Sequence, residues 1–96
     1  MSLGAEGYQL AIATTGVTIR AAHAAGAFYA LESFRQLLPP AIYRAAPITG
    51  VVWNAPSVHV GDAPRLSWRG SHLDVGRHFM PKRFVLKYID LLRVTR

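Results

Sequence analysis

The chain of 96 residues contains no cysteine, which excludes disulfide staples, thiolate zinc sites and a cysteine nucleophile. Acidic residues are scarce: Glu6, Glu32, Asp62, Asp74 and Asp90 are the full set, and no two are adjacent. No apolar run approaches the roughly 18 residues of a membrane-spanning helix. The opening Met1-Ser2-Leu3-Gly4 lacks the basic-then-apolar order of a signal peptide. No membrane association is therefore expected, and the want of cysteine leaves the compartment open. His23, His59 and His72 share no i,i+4 spacing and have no accompanying carboxylate, so no metal site and no cofactor are expected.

What remains is apolar and weakly charged. At 51% hydrophobic and 17% charged residues, the composition fits a folded segment and not a disordered one. The length allows one small domain with a thin core. The net charge of +6 is unevenly placed, because residues 64–96 hold eight basic side chains against Asp74 and Asp90. That asymmetry raises a nucleic-acid hypothesis. Without helix-turn-helix spacing, aromatic stacking motifs or zinc ligands, no nucleic-acid partner is expected.

Hydrophobic periodicity divides the chain into elements. Tyr8, Leu10 and Ile12 alternate with smaller or polar residues, as do Val17, Ile19 and Ala21, and both runs predict strands. Thr14-Thr15-Gly16 supplies the turn between them, with Gly16 free to take positive φ, so the two form a β-hairpin. From Ala24 to Leu38 the period becomes helical, with Ala27, Leu31, Phe34 and Leu38 on one stripe. Glu32 and Arg35 fall off that stripe as a surface pair. Pro39-Pro40 ends the helix, and Gly26 permits close approach of another backbone. Residues 41–54 predict a loop with one short strand, and Val58 and Val60 predict a strand returning to the hairpin. Ser71 to Asp74 predicts a further strand. Pro81 opens a helix over Lys82 to Val94, with Phe84, Val85, Tyr88, Ile89, Leu91 and Leu92 on a wide apolar face opposite Arg83, Lys87 and Asp90. A lone βα unit cannot close a parallel sheet, so the sequence reads as complete at its front and unfinished at its back.

The segment Pro64-Arg65-Leu66-Ser67-Trp68-Arg69-Gly70-Ser71-His72-Leu73-Asp74-Val75-Gly76-Arg77-His78-Phe79-Met80-Pro81 resembles the opening of the catalytic domain of family 20 glycoside hydrolases. These are the β-N-acetylhexosaminidases, chitobiases and lacto-N-biosidases. The helix containing Gly26-Ala27-Phe28-Tyr29-Ala30-Leu31 and Gln36-Leu37-Leu38 is similar to the last helix of that family's accessory α/β domain. The resemblance implies an α+β chain in two parts. Residues 1–63 would be the C-terminal part of the accessory domain, contributing the hairpin and helix. Residues 64–96 would be the first strand, loop and helix of a (β/α)₈ barrel whose other strands lie elsewhere.

The resemblance also implies a chemistry and its partners. Family members remove terminal N-acetylhexosamine from glycans with retention, using the substrate's own N-acetyl oxygen as nucleophile. An adjacent Asp-Glu pair on a later barrel strand assists, and no such pair exists here, so the chain supplies no catalytic residue and is expected to be inactive alone. Arg69 matches the arginine that hydrogen-bonds hydroxyls of the terminal sugar, a task suited to a fixed fork of donors. Asp74, Arg77 and His78 match structural or supporting positions. Asp74 is expected to accept loop backbone hydrogen bonds or to pair with Arg77, and His78 to pack below the pocket. Trp53 and Trp68 are candidate sugar platforms, Trp68 being read as a core aromatic at the domain junction. The apolar face of residues 82–94 is expected to drive self-association. An N-acetylhexosamine-containing glycan is the partner implied for the whole protein, and the resemblance points to an exported or periplasmic parent. The rival reading is a non-catalytic scaffold or interaction module derived from the accessory domain.

Overall fold

The computed structural model describes residues 2–95. Its first strand, β1 (Tyr8–Ala13), carries the alternation YQLAIA and buries Tyr8, Leu10 and Ile12 on one face. It is the middle strand of a three-stranded antiparallel sheet, flanked by β2 (Gly16–Ala21) and β3 (Val58–Asp62). The register explains the burial. Leu10 lies opposite Ile19 on one side and Val60 on the other, and Ile12 lies opposite Val17 and Val58. A central strand with apolar partners on both flanks needs only a cover on that face to exclude water.

The β1–β2 turn is tight, with Ala13 paired to Gly16. No non-glycine residue among those described has positive φ, whereas Gly16 has φ of 145°. The β-branched Thr14 and Thr15 resist positive φ, so the following glycine takes the backbone angle that the hairpin twist demands.

Helix α1 (Ala24–Leu37) is the cover. It stops where the sequence requires: Leu38 is extended, with φ −81° and ψ 162°, because a residue before proline is pushed out of the helical region. Its inward face keeps Phe34 of the predicted stripe but not Leu31. Gly26 and Ala30 are the residues pressed onto the sheet, with Phe34 and Leu37 packed beside the core, while Leu31 is 51% exposed. The cause lies at Gly26. A Cβ there would run into the Gly7 carbonyl and stand 3.1 Å from the Ala21 Cβ. The smallest residues allow the closest approach, so the helix turns its Gly26–Ala30 line toward the strands and not the line through Leu31.

Glu32 likewise is not the surface residue predicted. It is 3% exposed, and its Oε1 lies 3.5 Å from Nη1 of Arg35. The Arg35 guanidinium in turn lies 5.1 Å from the ring centroid of Tyr43. Tyr43 ends a single 3-10 turn, Pro40–Tyr43. This cation–π contact therefore fastens the helix to the turn that follows it. Residues 44–57 contain no strand, which corrects the expectation of one there. Val51-Val52-Trp53 lacks a neighbour with which to share a ladder, and Trp53 is exposed.

The sheet and α1 belong to the first of two compact units, Met1–Pro64 and Arg65–Arg96. Among the described residues the buried apolar ones, Tyr8, Leu10, Ile12 and Ala30, lie in the first. The second contains helix α2 (Lys82–Val94), with the predicted limits, and no residue from 65 to 95 is buried. Pro81 sits at the N-cap, one position before the first helical residue, and its carbonyl accepts from the Phe84 N–H at 2.9 Å. Ser71 to Asp74 is not a strand in the structure. A strand exists through the ladder it shares, and the second unit offers this segment no partner.

Candidate functional site

The segment of residues 65–80 carries the sequence-predicted site residues and has neither strand nor helix. Arg69 turns its guanidinium back along its own chain, donating from Nη1 to the Leu66 carbonyl at 2.6 Å. That bond uses one of five N–H donors and orients the planar fork. Trp68 is 82% exposed and not the core aromatic expected. Its indole lies against Gly70, where an added Cβ would stand 3.4 Å from ring Cζ2.

Asp74 organises the far end of the segment. Its Oδ1 accepts from the backbone N–H of Gly76 at 3.0 Å and of Arg77 at 3.2 Å, and its Oδ2 lies 3.4 Å from Nε of Arg77. Both carboxylate oxygens thus serve the turn that Asp74 begins, the arrangement for which short acidic side chains are favoured in turns. The ion pair is exposed and by itself adds little. His78 follows the turn and is exposed. The structure therefore brings Asp74 and Arg77 together, turns Arg69 toward Leu66, and leaves His78 at the surface.

Two further residues escape sequence reasoning. The Ser71 and Tyr88 hydroxyls are hydrogen-bonded across 17 positions, joining the segment to α2. Tyr88 also stacks on Phe84 one helical turn earlier, with centroids 6.4 Å apart and planes 18° from parallel. The i,i+4 aromatic pair is visible in the sequence, but the Ser71 partner is not, since nothing local links the two. Among the described residues no group of three or more His, Asp or Glu is placed to hold a metal ion, and no helix is long and apolar enough to cross a membrane.

Comparison with known proteins places both units in one family. Residues 1–63 match Glycosyl hydrolase family 20, domain 2, and residues 66–96 match Glycosyl hydrolase family 20, catalytic domain. The chain belongs to glycosyl hydrolase family 20. It is 35% identical to a β-hexosaminidase of Porphyromonas gingivalis over its full length, which is 12% of that protein. It is 32% identical to the N,N'-diacetylchitobiase of Vibrio harveyi over 86% of the chain and 8% of the relative. Among solved structures it is similar to the Streptomyces plicatus N-acetyl-β-hexosaminidase in complex with Thio-NAglucal, with 42% identity and a TM-score of 0.83 over 95% of this chain and 18% of that one. The family 20 chain thus spans less than a fifth of the length of each of these relatives.

Proposed function

We propose that this chain is the part of a β-N-acetylhexosaminidase in which the accessory α/β domain, residues 1–63, passes into the first βα unit of the (β/α)₈ catalytic barrel, residues 64–96. Arg69 binds hydroxyls of the terminal N-acetylhexosamine, and the chain contributes no catalytic group of its own. The observation that carries this reading is that two domains of one family meet in this chain, with Arg69 in the second. The whole protein's reaction is then hydrolysis of terminal N-acetylhexosamine by substrate assistance, in which the sugar's N-acetyl oxygen attacks the anomeric carbon. Asp74 and Arg77 shape the turn that follows in the same segment. Asp74 acts by holding its own turn, to which both of its oxygens are committed.

The test has two arms. The purified 96-residue chain should not hydrolyse a chromogenic N-acetylglucosaminide. Placed in the Streptomyces plicatus enzyme in exchange for the matching segment, it should support turnover. Arg69→Met in that chimera should raise KM about 10- to 100-fold, the range for losing a charge-assisted hydrogen bond. Turnover by the isolated chain, or an unchanged KM in the Arg69→Met chimera, would overturn the reading.

The isolated chain self-associates through residues 82–94, a reading supported by the exposure of Leu86, Ile89 and Leu91 on α2. Light scattering at micromolar concentration should show more than a monomer. The scaffold reading draws on a different observation, that the first unit holds the whole buried core. It requires a stable fold without glycan affinity, and an active chimera dependent on Arg69 would exclude it.

A further inference from the structure

We draw no further inference here: the strongest candidate, the exposed apolar patch of Phe28 and Leu31 on α1, carries nothing because nothing in the structure shows what covers it.

Discussion

Gly26 of α1 and Gly7, just before β1, meet backbone to backbone. A Cβ on Gly26 would collide with the Gly7 carbonyl and crowd the Ala21 side chain at 3.1 Å. This contact sets the rotation of α1 about its axis, and with it which side chains enter the core. Gly26→Ala should therefore destabilise the first unit by about 1–3 kcal/mol, the usual cost of overpacking. It should do so although alanine favours a helix interior by about 1 kcal/mol. Urea denaturation followed by circular dichroism reads the sign directly. A more stable variant would mean that the two backbones are not in contact.

Tyr8 ties together the three elements around the core. Its ring is buried on β1, its hydroxyl is hydrogen-bonded to Ser33 of α1, and it donates to Oδ2 of Asp62 on β3 at 3.4 Å. Tyr8→Phe should cost about 0.5–1.5 kcal/mol, the net worth of a typical intramolecular hydrogen bond. Combined with Ser33→Ala, it should cost less than the two single effects added together. Additive losses in a double-mutant cycle would show that the two hydroxyls do not interact.

The Glu32–Arg35 pair separates the sequence-based view of α1 from the observed one. A solvated i,i+3 pair is worth about 0.2–0.5 kcal/mol. In the structure Glu32 is buried and Arg35 is also stacked on Tyr43. Arg35→Ala should then cost about 1–3 kcal/mol, since it leaves a buried carboxylate without this cation and strips the Tyr43 face. Thermal unfolding at two salt concentrations checks it. A loss below about 0.5 kcal/mol that vanishes in salt would return the pair to the surface.

Proteolysis should follow the division into units. Segments without buried contacts and without a hydrogen-bonded ladder open at low cost. Trypsin should cut after Arg69 and Arg77 before it cuts after Arg20 in β2 or Arg35 in α1. Mass spectrometry of timed digests reads this order. Early cleavage after Arg20 or Arg35 would show that the first unit does not hold its core by itself.

Much of this was legible in the sequence, because it depends on neighbours along the chain. Period-two alternation at Tyr8, Leu10 and Ile12, a glycine after two threonines, a double proline after Leu38 and a proline before Lys82 each act through local backbone geometry. They gave the hairpin, the end of α1 and the limits of α2. The block from Trp68 to Pro81 likewise carried the family resemblance in residue order alone.

Contacts between distant positions were decided by the tertiary structure. The stripe through Leu31 is as apolar as any on α1, and the meeting of Gly26 with Gly7 turns the helix so that Phe34 packs on the core and Leu31 does not. Glu32 becomes buried because of what packs beside it, and not because of its own chemistry. Ser71 to Asp74 predicts a strand, but a strand needs a neighbour and the second unit provides none. The Ser71–Tyr88 bond joins residues 17 positions apart, a distance at which sequence spacing carries no geometric information. Local stereochemistry fixes elements, whereas packing and long-range hydrogen bonds choose their faces, and those choices require the folded chain.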